Sequence, residues 1–176
     1  MCVPTMRVVV CITGASGAAY ALRLLEILKC EKDLVVSEHG LEVLEYETGM
    51  DLPGLKKLAT RYYDNGRMNT DIASGKTKFD AVVVVPCSMN TLSKISAGIS
   101  DNLITRVAAV AMKEHRRLVL VPREMPLSPV HLRNMAELAG YGVIILPASP
   151  GFYQKPRKIS ELVDFVAQRI VMAIEG

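Results

Sequence analysis

Tryptophan is absent, and only three Phe and six Tyr occur among 176 residues. Aromatic platforms for stacking nucleic-acid bases are therefore poorly supplied. An excess of one charge is missing too: 21 basic and 18 acidic residues are mixed along the chain and leave +3. That balance lacks the dense basic face on which nucleic-acid affinity depends, so no nucleic-acid partner is expected. The four cysteines, Cys2, Cys11, Cys30 and Cys87, show no C-x-x-C spacing, and His39, His115 and His131 are scattered. No metal site is expected from them, and reduced, mostly buried thiols in a cytoplasm are the preferred reading. Long apolar runs are also lacking. Val8 to Ile12 is too short for the core of a signal peptide, and nothing approaches the ~18 residues of a spanning helix. A soluble cytoplasmic chain with no membrane partner is the expectation.

What is present is apolar residues, half the chain, arranged in short Val/Ile/Leu runs that each lead into a stretch of helical periodicity. Such alternation predicts βαβ units and a parallel sheet covered on both faces. The expected fold is one domain over residues 1–176, a three-layer α/β/α arrangement with a mainly parallel sheet. Strands are expected at Arg7–Thr13, Leu34–Ser37, Ala81–Pro86, Leu118–Pro122 and Val143–Leu146. Helices are expected at Ala18–Lys29, Leu41–Thr48, Thr91–Ala97, Asn102–His115, Pro129–Ala139 and Ile159–Ile174. Tyr63–Lys78 reads as the most mobile loop and Pro147–Arg157 as a second irregular segment; each suits a lid or an ordinary connection.

Three turns carry chemistry. The first strand ends in Thr13-Gly14-Ala15-Ser16-Gly17-Ala18. Glycines at a strand-to-helix turn serve phosphate binding at the positive end of a helix, or close packing, and the pattern favours phosphate. A nicotinamide dinucleotide fits only partly, because position 19 is Ala and the second strand closes on Ser37. The second turn is Cys87-Ser88-Met89-Asn90-Thr91-Leu92-Ser93, whose uncharged donors suit a flat heterocycle with carbonyl edges, or a helix cap. The third, Arg123-Glu124 between Pro122 and Pro126, sets an ion pair on a rigid turn at a strand's carboxyl edge. Neither a P-loop nor a Gly-x-Ser-x-Gly elbow is present. These residues reach a phosphate-bearing planar cofactor without choosing a reaction.

Taken in order, Thr13–Ala18, Pro86–Lys94, Ser100–Leu103, Lys113-Glu114, Val119–Pro126, His131–Met135 and Pro150–Tyr153 resemble the flavin prenyltransferase (UbiX/Pad-type) family of Rossmann-like flavoproteins nearly end to end. The resemblance implies that reduced FMN is alkylated by dimethylallyl phosphate, first at N5 and then at C6, where a fourth ring closes. The product, prenylated FMN, would serve a partner decarboxylase of the UbiD type. By motif match, Gly14, Ala15, Ser16, Ser37, Ser88, Met89, Asn90, Thr91 and Arg123 resemble the FMN contacts. Lys113, Tyr153 and Arg169, with Arg106 added, resemble the set that holds the donor phosphate without metal. Ser16, Glu47 and Glu124 fall at the family's proton-handling positions. The resemblance also implies a large homo-oligomer, up to a dodecamer, with active sites shared between subunits. The chain departs from some members in having Met68, and no Trp, in the loop at 63–78. A flavin-dependent decarboxylase of cysteine-like or aryl acids is the alternative activity, and a flavin carrier the third reading.

Overall fold

The computed structural model describes residues 6–176; Cys2, read above as a reduced thiol, lies outside the described residues. Six strands form one parallel sheet: β1 (Arg7–Ile12), β2 (Glu31–Val36), β3 (Arg61–Asp64), β4 (Ala81–Cys87), β5 (Arg117–Pro122) and β6 (Ile144–Ile145). Their spatial order is β3-β2-β1-β4-β5-β6. This is the doubly wound Rossmann order, with the topological switch between β1 and β4.

The strands are apolar because both faces are covered. Val8, Val10 and Ile12 pack under helices α1 (Ala18–Ile27) and α7 (Ile159–Glu175), with Leu44 of α2 (Glu38–Thr48) and Leu55 of α3 (Leu52–Lys56). Val9 and Cys11 face the other layer, α4 (Met89–Ser96), α5 (Leu103–Lys113) and α6 (Pro129–Gly140). Successive residues of a strand point to opposite faces, so one run of valines serves both cores. The helices are longer at some ends than the periodicity suggests, α4 opening at Met89 rather than Thr91.

The expectation of a mobile loop over Tyr63–Lys78 needs correction. Its first residues belong to edge strand β3, paired to β2 through Asp33↔Arg61 and Val36↔Asp64. The remainder is held at several points. Ile72 is fully buried in the α5-side core, and Asn65 caps α5 by accepting from Leu103 N and Ile104 N. Arg106 Nε donates to the Ala73 carbonyl, and Arg116 donates to those of Gly75 and Thr77. Asp33, fully buried on β2, joins Arg7 Nε at 2.7 Å and Arg61 Nε at 2.7 Å; Arg7 in turn reaches Asp71 and the Tyr63 hydroxyl.

Cys11, Cys30 and Cys87 are free thiols. Burial pushes the Cys11 and Cys87 thiols far up, which leaves them packed rather than nucleophilic. Among the described residues no helix is long and apolar enough to cross a membrane.

Candidate functional site

The turn after β1 closes on itself. Gly17 has φ +113°, a left-handed conformation that favours glycine, and it opens α1. A Cβ on Gly14 would stand 2.8 Å from the His39 Cβ, so the missing side chain lets the start of α2 approach the turn. From α2, Glu47 reaches back: its Oε2 accepts from Gly17 N at 2.9 Å and Ala18 N at 2.8 Å. Two of the N–H groups that could cradle a phosphate at this turn, those of Gly17 and Ala18, thus hold the chain's own carboxylate. Sequence reasoning missed this because the partner lies 30 residues away.

Burial alone would raise the Glu47 pKa. Hydrogen bonds from the Ser16 hydroxyl and from the Gly17 and Ala18 amides, together with the nearby Arg123 charge, outweigh it and hold the carboxyl below its ordinary value. Stability gained this way is complete above the usual carboxylate pKa, about 4.3. It is lost as the pH falls through the lower folded value. Glu47→Gln should therefore lower the urea midpoint clearly at neutral pH and much less near pH 3. Equal differences at both pH values would refute the arrangement.

Thr13, at the end of β1 and 2% exposed, joins the first two turns. Its hydroxyl donates to the Pro86 carbonyl at 2.8 Å and accepts from Ser88 N at 2.8 Å. The sequence reading gave Thr13 no role of its own; a hydroxyl ending a buried apolar strand was the available signal. Ser88 caps α4, accepting from Thr91 N, and its hydroxyl also meets that of Thr91 at 3.0 Å. Ser37 caps α2 by accepting from Gly40 N. Met89 is buried beneath this turn, while Asn90 is exposed.

The third turn faces the first across the switch point. Arg123 Nε donates to the Ser16 carbonyl at 3.3 Å, and Arg123 and Glu124 are both exposed. One Glu124 oxygen accepts from Met125 N at 3.0 Å. The crevice thus gathers neutral hydroxyl and amide groups, one guanidinium and two carboxylates at the carboxyl ends of β1, β2, β4 and β5. Ligands bind at this position in open α/β sheets, and the donors suit a planar anionic group.

The expected donor-phosphate residues divide into two sets. Tyr153 packs edge-on against Phe165 with ring centroids 5.8 Å apart, and Arg169 lies one helical turn beyond Phe165 on α7. Both polar side chains are exposed on that side of the molecule. Lys113 ends α5 just before β5, at the amino edge of the sheet, whereas Arg123 follows β5 at the carboxyl edge. The six residues of β5 separate them by roughly 20 Å. Lys113 pairs with Glu114, and Arg106 is engaged with Ala73. Within one chain, Lys113 and Arg123 therefore do not converge. Among the described residues no three of His, Cys, Asp and Glu are grouped as metal ligands.

A family model described as Flavoprotein matches residues 2–171. The flavin prenyltransferase UbiX of Methanocaldococcus jannaschii is 49% identical over 168 residues, covering 94% of this chain and 91% of its own. That of Thermoplasma acidophilum is 51% identical over 167 residues, covering 94% and 93%. Among solved structures, AnUbiX in complex with FMN and dimethylallyl pyrophosphate matches with a TM-score of 0.96 at 39% identity, covering 98% of this chain and 93% of that one. A dodecameric FMN-dependent UbiX-like decarboxylase from Escherichia coli O157:H7 matches at 0.94 and 38% identity, covering 97% and 96%. Likeness of this extent, over a crevice built from the same turns that carry the sequence motifs, shows that the chain belongs to the UbiX flavin prenyltransferases of the Flavoprotein family.

Proposed function

We propose that this chain transfers the dimethylallyl group of dimethylallyl phosphate to N5 and C6 of reduced FMN, making prenylated FMN for a UbiD-type decarboxylase. The observation that carries the reading is the crevice itself, where neutral donors and Arg123 stand beside the Glu47 carboxylate held by the Gly17 and Ala18 amides. FMN fits these groups. Its carbonyl-edged ring suits the Ser88–Thr91 turn, and an anionic ligand suits the exposed Arg123. When bound, the reduced flavin would supply the nucleophile and an electron-rich face that stabilises the allyl cation left as the phosphate departs.

The protein's part is binding, orientation and proton handling. Gly14, Ala15, Ser37, Ser88, Met89, Asn90, Thr91 and Arg123 seat the ring and its chain. Ser16, Glu47 and Glu124 manage protons, with Glu47 held ionised as an acceptor for the Ser16 hydroxyl. Tyr153 and Arg169 hold the donor phosphate as charge builds on it, without metal. Lys113 and Arg106 complete the corresponding site of a neighbouring copy, a role that the exposure of both and the place of Lys113 at the opposite edge of the sheet support. We assign the enzyme to the cytoplasm, in keeping with the unpaired Cys11, Cys30 and Cys87.

Incubating the protein with reduced FMN and dimethylallyl phosphate and weighing the flavin by mass spectrometry tests this directly. A flavin heavier by one dimethylallyl group is expected, and an unchanged mass overturns the proposal. Arg169→Ala removes a charge-assisted contact worth about 1.5–3 kcal/mol. Donor affinity should therefore fall by roughly ten- to a hundredfold with little change in FMN binding. Unchanged donor affinity would return Arg169 to a solvated helix position.

A further inference from the structure

The motif His131–Met135 has no part in the reaction as described, yet it is built into the same edge of the sheet. Helix α6 starts from Ser128, whose hydroxyl accepts from His131 N at 3.2 Å. In return Ser128 N donates to His131 Nδ1 at 3.3 Å. In such reciprocal caps the third helical residue is usually Glu or Gln, with a side-chain oxygen as acceptor. Here an imidazole does the work, and it can accept only if Nδ1 carries no proton.

Ser128 is four residues beyond Glu124, and Pro126 and Pro129 stiffen the stretch that joins the turn to the helix. Fixing the backbone of Ser128 therefore restricts where Glu124 can sit. One turn further along α6, Asn134 is 7% exposed and donates through Nδ2 to Ser93 Oγ of α4 at 3.0 Å. That helix begins at the Ser88–Thr91 turn. Helix α6 is thus tied to the second turn of the crevice through Asn134 and to the third through His131.

We propose that His131, in its Nε2–H tautomer, is a positioning residue that holds Glu124 in place through Ser128. A neutral acceptor also avoids adding a carboxylate to a segment that already carries Glu124. The consequence for turnover rests on the proton-handling reading of Glu124; the tautomer does not.

The test has two readouts on the FMN-loaded protein. Nitrogen-15 NMR of the imidazoles, with the His131 signals identified by their loss in His131→Gln, should report Nε2–H with Nδ1 unprotonated at neutral pH. A proton on Nδ1 overturns the proposal. Kinetically, His131→Leu removes the acceptor and should lower kcat by roughly three- to tenfold, the equivalent of one lost hydrogen bond. The donor KM and FMN affinity should stay within about twofold, and His131→Gln, which restores a side-chain acceptor, should recover parental kcat. Equal rates in the Leu and Gln variants, or a parental rate in His131→Leu, overturn it. If His131→Leu does not fold, the tautomer and the Gln variant decide. A parental rate in Glu124→Gln would instead sink the reading of Glu124 and leave the tautomer as the judge of His131.

Discussion

Glu124→Gln is expected to keep parental FMN occupancy while slowing prenyl transfer by about 10²–10⁴-fold, the usual contribution of a general acid or base. The amide retains an oxygen that can accept from Met125 N, so the local backbone bond at 3.0 Å survives while the proton-handling group is lost. Arg123→Ala should do the reverse in kind. It removes the crevice cation and the contact to the Ser16 carbonyl, so flavin occupancy should fall and residual activity should follow occupancy. Flavin absorbance after gel filtration and single-turnover rates on loaded enzyme separate the two. Equal flavin loss in both variants, with activity merely proportional to it, would remove the division of labour between neighbouring residues.

The second large effect concerns folding. Asp33→Asn should cost about 3–5 kcal/mol, the usual penalty for breaking a buried ion pair from one side. Both Asp33 oxygens are engaged at 2.7 Å, by Arg7 and by Arg61, and the residue is fully buried. Neutralising it leaves two guanidinium groups without their shared partner and releases the Arg7 link to Asp71 and Tyr63. Urea unfolding would report the loss as a lower midpoint at an unchanged slope. A cost under about 1 kcal/mol would mean that the cluster is solvated and that Ile72, Asn65, Arg106 and Arg116 hold the segment after β3 without it.

The central strands were legible because burial on both faces leaves only apolar residues. Val8–Ile12, Val82–Val85 and Leu118–Val121 have almost no alternation to confuse. Strand β3 was hidden for the opposite reason: Arg61-Tyr62-Tyr63-Asp64 is a half-buried edge strand, and its pairing depends on the cross-strand contact to Asp33, which local pattern cannot reveal. The polar start of β2, Glu31 to Asp33, was lost in the same way. Of the site, the turns after β1, β4 and β5 could be read because each joins a buried strand to a helix through small or paired polar residues. Residue types did not show that Glu47 returns to α1, since that depends on how α2 packs, nor that Lys113 and Arg123 stand at opposite edges of the sheet.

The Glu47 contact also bears on selectivity. A carboxylate delivered by the fold itself acts as a tethered competitor for the first amides of α1. Even a short flexible tether gives an effective concentration in the millimolar range, and Glu47 is attached through a packed helix. A free phosphate or pyrophosphate must displace it before using those amides, so dinucleotides that rely on this niche are disfavoured at the outset. Glu47→Ala would unmask the niche, and weak sulfate binding at the start of α1, absent from the parent chain, is the expected sign.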